Sequence, residues 1–522
     1  MNTKRKTLAE IVALIPDESS LAFTTSGIGG MAEEFFVGLR KHFDETNHPK
    51  YITVISAAGL ARGEGTGSDL LLAPGLMKTY IGSHIHGAPL TGRAGLENKI
   101  ALFIIPQGTI GLLFRNAAER GPGVWTKVGL NTHVDPRQGA GKMSDKAKLA
   151  ADLMTVETVN GEEWLYYKPV AIDVTVIKAT YADHNGNLAF DHEPMYLQAL
   201  TMAMAAKNNG GIVIAQVEEV VTNGSLPAKS VLVPGIMVDY VYKATPAYHQ
   251  QTFATDYSPL LSNEVRSEEL PIKDHKLNNK AVIARRAALE LKKGTIINIG
   301  VGLPSMISNL FYEANRLNEY HFTTDLGGVD GLPAPGYDYG PNYNAEAVID
   351  TGDMFKFYHG GGLDATVLGF GEMDQQGNVN TTLLGHSIMG PGGMMDIIYG
   401  SSHVIFVGPF RVKDQTHIEK GKLMIDEPGV MSKFRKTLSH ITFNGREAMK
   451  AGKRITIITD RAVFELNQEA NLVLTEIAPG LDMQQDIIDQ MDFDPIIADQ
   501  VRTVDAHLFD EKWSLNDYLL TE

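Results

Sequence analysis

The sequence predicts an α/β protein made of two related, open, mostly parallel α/β domains, and three observations carry that expectation. Short β-branched runs bounded by turn residues alternate with helical stretches along the chain. Glycine, at 52 of 522 residues, is about 10% of the chain against an average near 7%, as many tight strand-to-helix turns require. A strand running into a G-x-G turn occurs once in each half, as LAFTTSGIGG at 21–30 and IINIGVGLP at 296–304.

The runs at 51–56, 170–178, 211–217, 295–299, 365–369, 403–407 and 454–458 read as buried parallel strands. Between them, the alanine- and methionine-rich stretch 195–208 and AVIARRAALELKK at 281–293, basic in its last turn, read as helices. Residues 251–278 break this rhythm with Pro259, Pro271 and scattered charges, so the expected organisation is a domain at 1–250, a linker at 251–278 and a second domain at 279–522. A second repeat supports duplication: Asp183-His184-Asn185-Gly186-Asn187 is matched by Asp374-Gln375-Gln376-Gly377-Asn378, each a D-x-x-G-N turn just after an apolar strand.

Composition removes several function classes. The net charge of −16, from 46 basic and 62 acidic residues, argues against a general nucleic-acid binder, whose affinity comes from clustered Lys and Arg. With no cysteine there is no disulfide, thiolate metal site or cysteine nucleophile, so any nucleophile is an oxygen or nitrogen group. Residues 1–20 carry a short basic patch, but Glu10 and Asp17 interrupt the apolar positions after it, so the segment reads as an amphipathic helix and not a secretory signal. The most apolar stretch, 100–114, is broken by Pro106, Gln107 and Gly108 and cannot span a bilayer. A cytoplasmic protein without membrane or nucleic-acid partners is the expectation.

Gly27-Ile28-Gly29-Gly30-Met31-Ala32 fits a dinucleotide-type G-x-G-x-x-A turn, yet the next strand runs into Ala57-Ala58-Gly59 without the acidic residue that fingerprint needs. No G-x-x-x-x-G-K-[ST] loop and no G-x-S-x-G elbow occurs. His84 and His86 would project to one side of a strand, but no third ligand is apparent, and His133, His184 and His192 are no better placed, so no metal is expected. The segment TTDLGGVDGLP at 323–333 is more telling. It sets one carboxylate, Asp325, at the end of a strand and directly before a glycine-rich turn, which is how a carboxylate nucleophile would be displayed.

Across nearly its whole length the chain resembles the family I coenzyme A-transferases in their fused two-domain form, typified by acetate or propionate CoA-transferases. In the first half the resemblance is carried by Glu97-Asn98-Lys99, Ile105-Pro106-Gln107-Gly108, Lys127-Val128-Gly129-Leu130, Val134-Asp135-Pro136-Arg137 and Val233-Pro234-Gly235-Ile236. In the second half it rests on the Asp325 segment, Gly360-Gly361-Gly362-Leu363-Asp364, Gly377-Asn378-Val379-Asn380, 390–396 and Glu476-Ile477-Ala478-Pro479-Gly480. In the family the nucleophile segment normally reads T-V-E-S-G-x-x-G-G-x-P. Without gaps, Asp325 stands in the glutamate's place and Asp330 where glycine is usual.

The resemblance implies domains of the ribose-5-phosphate isomerase-like type, coenzyme A as co-substrate with no permanently bound cofactor, small carboxylic acids as the other substrates, and a homo-oligomer. It implies ping-pong transfer through an acyl anhydride and an enzyme–CoA thioester on Asp325. Gln107, Asn380, Gly392 and Gly393 are the implied oxyanion-side residues, and Gly360, Gly361, Gly362, Gly377 and Asn378 the implied contacts to CoA. The shorter carboxylate, with about 1.5 Å less reach, leaves two alternatives: an acyl-CoA hydrolase with Asp325 as general base, and a weakened CoA-binding homologue.

Overall fold

The computed structural model describes residues 4–272 and 276–519. The chain divides into two compact units: one takes it up to Arg266 together with Val348–Lys356 and Gly385–Asp396, the other takes Ser267–Ala347, Phe357–Leu384 and the chain from Ile397 on. Of the segment expected as a linker, 273–275 lie outside the described residues, as do 1–3 of the expected N-terminal helix, which spans Leu8–Val12.

The first unit holds a parallel sheet in the order Tyr240–Lys243, Ile212–Val221, Val174–Asp183, Ser20–Phe23, Ile52–Ser56, Met77–Gly82, Ala101–Ile104. Its central strands are buried nearly throughout, as strands covered on both faces must be. The helices Gln107–Glu119 and Ala199–Asn208 contribute Ile110, Leu113, Phe114, Met202 and Ala203 to its core. The second of these begins later than the sequence predicts. Leu197 and Gln198 take left-handed φ values of 51° and 60°, and the Gln198 N–H is capped by the Asp350 carboxylate at 2.8 Å.

The second unit repeats the arrangement in the order Arg454–Ile458, Ser401–Val407, Leu363–Gly369, Ile296–Ile299, His321–Thr323. Past Arg454–Ile458 the sheet continues through Ala462–Leu466 and Leu472–Ile477, both antiparallel to their predecessors, to Ile496–Thr503. Mixed α/β units with large, mostly parallel sheets are thus what the chain forms. In each sheet the strand that enters a G-x-G turn has the same kind of neighbours, one strand that follows it in sequence and one that leads into the D-x-x-G-N turn, directly from Val174–Asp183 in the first unit and through the short strand Glu372–Met373 in the second.

Those two turns match atom for atom. Asp183 Oδ1 accepts the N–H groups of Asn185 and Asn187, both at 2.9 Å, and its Oδ2 accepts Asn187 Nδ2 at 2.8 Å. Asp374 Oδ1 accepts Gln376 and Asn378 N–H at 2.9 and 3.0 Å, and Oδ2 accepts Asn378 Nδ2 at 2.9 Å. Each Asn then receives a glycine N–H on its own Oδ1, Gly235 at 2.8 Å and Gly445 at 2.9 Å.

Candidate active site

In the second unit the parallel strands Ile296–Ile299, His321–Thr323 and Leu363–Gly369 share a carboxyl edge, where ligands of open α/β sheets bind. Asp325 lies on that edge, in the tight turn that joins His321–Thr323 to Gly328–Val329. The turn closes through Gly327 N–H to Thr324 O at 3.1 Å and Thr324 N–H to Gly328 O at 3.1 Å. A side chain at Gly328 would put its Cβ 2.6 Å from Asn342 Oδ1, so only glycine fits beneath the turn.

Asp325 is 7% exposed. The Tyr339 hydroxyl lies 2.8 Å from Ile299 O and 3.3 Å from Asp325 Oδ1, and its single proton serves both acceptors. Burial, with the Asp325 charge next, pushes the Tyr339 phenol well above its usual range, so it stays a neutral donor. Behind Asp325 a buried polar layer fixes the strand ends: Thr323 Oγ1 meets the Tyr358 hydroxyl at 2.8 Å, and Asn298 Nδ2 donates to the same hydroxyl at 3.3 Å. Asp330 is explained by backbone and not by chemistry. Its φ is 56°, a conformation that glycine takes freely and Asp tolerates better than most residues, and its carboxylate turns to the exposed His321 Nδ1 at 3.0 Å.

The remaining sequence-predicted residues of this unit behave differently. Asn380 is fully buried, and its amide ties a turn, donating to Glu372 Oε2 at 2.9 Å and Leu383 O at 2.8 Å and accepting Thr382 N–H at 3.0 Å. Gly377 and Asn378 form the D-x-x-G-N turn, and a Cβ at Gly377 would strike Leu466 at 2.4 Å. Gly360, Gly361 and Gly362 end the Thr351–His359 helix, through Gly361 N–H to Tyr358 O at 2.8 Å and Gly362 N–H to Phe357 O at 3.1 Å. They enter the amino end of Leu363–Gly369. With Thr323, Asn298 and Thr366 in register, these glycines sit at the opposite edge of the sheet from Asp325, on the order of 20 Å along the strands. The sheet register thus sets these glycines, expected as contacts to CoA, apart from the carboxylate expected to react.

The first unit has its own cluster, assembled from segments far apart in sequence. Gln107 opens the Gln107–Glu119 helix, with its N–H to Gly392 O at 3.2 Å, and the next amide, Gly108 N–H, is held by Asp396 Oδ2 at 2.9 Å. The Gln107 residue is 4% exposed, and its side-chain amide takes no hydrogen bond among the described residues. Gly392 donates its N–H to Ser83 O at 3.2 Å. Gly393 is buried just ahead of the Met394–Tyr399 helix, and its N–H takes no acceptor among the described residues. Of the donors predicted from sequence, Gln107 and Gly393 are thus unengaged, whereas Gly392 and Asn380 are occupied.

His84 was missed as part of this cluster. The Met77–Gly82 strand ends before it, so His84 and His86 stand in the following turn and not on one side of a strand. No group of three or more His, Asp or Glu side chains able to hold a metal occurs among the described residues. His84 Nε2 accepts the Gly59 N–H at 2.9 Å. Burial, and secondarily His86, lower its pKa to about 4. No local signal in the sequence marks it: the glycines that leave room for its imidazole, at 27, 59, 390 and 392, lie far apart along the chain and meet only in the fold.

The comparisons with known proteins agree with this architecture. Residues 5–244 match the family model described as coenzyme A transferase. The chain is 39% identical to the caffeate CoA-transferase of Acetobacterium woodii, over 98% of each protein. It is 37% identical to the acetate CoA-transferase YdiF of Escherichia coli strain K12, over 96% of this chain and 94% of that one. The crystal structure of the acyl-CoA transferase YdiF apoenzyme from Escherichia coli O157:H7 superposes with a TM-score of 0.90 at 36% identity, covering 98% of this chain and 97% of that one. Its thioester complex with CoA gives 0.89 at 35% identity, covering 97% and 96%. No helix among the described residues is long and apolar enough to cross a membrane. With such identity sustained along almost the entire length, the chain belongs to the family I coenzyme A-transferases, in their fused two-domain form, and is an acetate CoA-transferase-like enzyme.

Proposed function

We propose that the enzyme moves coenzyme A between a short-chain acyl-CoA and a carboxylic acid such as acetate, with Asp325 as the covalent carrier. The observation that supports this most is the placement of Asp325: a nearly buried carboxylate at the carboxyl edge of a parallel sheet, with a neutral phenol donor at 3.3 Å. An Asp325 oxygen attacks the thioester carbonyl, the C–S bond breaks, and CoA leaves as thiolate, giving a mixed anhydride. The thiolate then attacks the Asp325 carbonyl carbon and expels the first acid as its carboxylate, leaving an aspartyl–CoA thioester. An incoming carboxylate reverses both steps, and no proton is gained or lost overall. Splitting the exchange this way keeps the thioester energy in covalent form.

The oxyanion role that the resemblance gives to Gln107, Asn380, Gly392 and Gly393 stays part of this proposal. What supports it is local: Gln107 and Gly393 keep unengaged amides, and one such donor is worth about 3–4 kcal/mol. Asn380 and the Gly392 N–H also make hydrogen bonds that hold their loops. For CoA itself, the exposed Val301-Gly302 part of the turn on the Asp325 edge is favoured over Gly360–Gly362, Val301 being 53% exposed. A homo-oligomer and a cytoplasmic location rest on the resemblance alone.

Intact-mass spectrometry tests the carrier. Incubation with acetyl-CoA and no acceptor should add CoA to the chain, and borohydride reduction should fix the change at Asp325. Asp325→Ala should lose the adduct and about four orders of magnitude in turnover. An unmodified Asp325 under turnover refutes the carrier role, and free thiol released equally fast with and without acetate assigns hydrolysis instead. Asp325→Glu should raise transfer if the missing methylene limits reach.

A further inference from the structure

His84 takes no part in the chemistry just described, yet three separate loops are built around its ring. A Cβ at Gly27 would lie 2.6 Å from His84 Cε1, one at Gly59 would lie 2.6 Å from the same atom, and one at Gly390 would lie 2.6 Å from His84 Cα. Gly27, Gly390 and Gly392 have φ of 81°, 82° and 56°, so these loops approach the histidine in conformations that side chains rarely adopt. At Gly392 a Cβ would lie 3.5 Å from His84 Cδ2 and 3.7 Å from Gln107 Oε1, which puts imidazole, loop and amide side by side.

Polarity settles the state of the ring. A backbone N–H can only donate, so the 2.9 Å contact from Gly59 N requires a lone pair on Nε2. His84 is then a neutral imidazole with its hydrogen on Nδ1. The loop that Gly59 belongs to is tied onward, because Gly59 O accepts Thr25 Oγ1 at 2.8 Å and Thr25 Oγ1 accepts Gly27 N–H at 3.0 Å. On the other side, Gly392 N–H reaches Ser83 O at 3.2 Å and Ile85 N–H reaches Met389 O at 2.9 Å, so the residues flanking His84 hold the 389–392 loop directly. Gln107 N–H, on Gly392 O, is set by the same loop.

We propose that His84 is a positioning residue for the transfer reaction: by accepting the Gly59 N–H it locks the 27, 59 and 390–392 loops into one register and thereby sets the Gln107 amide and the Gly393 N–H. This rests on the reading of Gln107 and Gly393 as oxyanion donors. It predicts a loss in turnover with ground-state binding kept, because His84 acts through the loops that hold the donors.

The test compares a side chain that keeps the acceptor with one that keeps only the bulk. His84→Phe should lower kcat about 100-fold while KM for acetyl-CoA and affinity for desulfo-CoA change less than about threefold. His84→Gln, whose Oε1 can replace the Nε2 acceptor, should recover most of that loss. If the phenyl variant does not fold, His84→Met supplies the non-accepting side chain. Full activity in the non-accepting variant, or equal damage in His84→Gln, overturns the inference. Gln107→Leu, measured alongside, separates the two readings. If it is inactive while the non-accepting variant is fully active, the His84 inference alone falls; if it is fully active, the oxyanion reading beneath it falls.

Discussion

The turn that follows Ser20–Phe23 in the first unit is packed shut, and its counterpart after Ile296–Ile299 in the second is open. Around the first, Gly27 faces the His84 ring, a Cβ at Gly29 would strike Gln251 O at 2.6 Å, and one at Gly30 would strike Leu197 Cδ1 at 2.1 Å. Around the second, a Cβ at Gly302 would meet no atom within 4 Å, and Val301 next to it is 53% exposed. The adjacent strands differ the same way. Five residues before Asp183 stands Lys178, fully buried against Glu193 at 2.7 Å; five before Asp374 stands Gly369, where a Cβ would meet nothing within 4 Å. Duplicated backbone therefore carries two different fillings. One unit uses its carboxyl edge as core, and the other leaves that edge accessible beside Asp325.

The first way to break this comparison is to unfill the packed edge. Lys178→Met would leave the Glu193 carboxylate buried without its ammonium, a change that costs about 3–5 kcal/mol. Two of the chain's three tryptophans, Trp125 and Trp164, lie in the first unit, so urea unfolding followed by tryptophan fluorescence should show an early transition. Gly27→Ala should come next, at about 2–4 kcal/mol, since a methyl adds overpacking against His84 to a left-handed φ of 81°. An unchanged midpoint in both variants would mean that the packed edge is not a source of stability.

Acid sharpens the same contrast, because the groups that fill the first unit titrate. The His84 pKa falls from 6.5 to about 4 on folding, so between those values the unfolded chain binds the proton and the native one does not. Stability from this group is present above 6.5 and declines as the pH drops toward 4, by at most about 3 kcal/mol. Glu193 acts lower down. Burial raises its carboxyl, but Lys178 and His249 more than offset this and hold it at about 2, so its contribution is full above 4.5 and is lost as the pH falls through 2. Wild type minus His84→Gln, measured by unfolding from pH 7 to 4, should reveal the histidine slope. Parallel curves would contradict it.

Much of this was legible in the sequence. The strand runs at 51–56, 403–407 and 454–458 lie within two residues of the observed Ile52–Ser56, Ser401–Val407 and Arg454–Ile458, because β-branched runs between glycine-rich turns have few other ways to hide. The D-x-x-G-N pair was readable because its hydrogen bonds are all local. What escaped was whatever depends on long-range register. Gly360–Gly362 look like Gly390–Gly393 as strings, yet the first group caps a helix at the far edge, and the second folds over Ser83 and His84, some three hundred positions earlier in the chain. His84 itself is a single histidine among 16, and only the glycines folded around it reveal its place.

The open edge supplies the smallest effects and the finest discrimination. Gly302→Ala meets no atom of its unit within 4 Å but keeps a φ of 84°, so about 1–2 kcal/mol of backbone strain should be its whole cost. Gly369→Ala has neither the clash nor a left-handed φ and should change stability by less than about 0.5 kcal/mol. If that edge receives the pantetheine arm of CoA, however, the methyl at 369 occupies space the ligand needs, and KM for acetyl-CoA should rise severalfold while the unfolding midpoint stays put. A variant unchanged in both would leave the space beside Asp325 empty of function and move the CoA path elsewhere on the sheet.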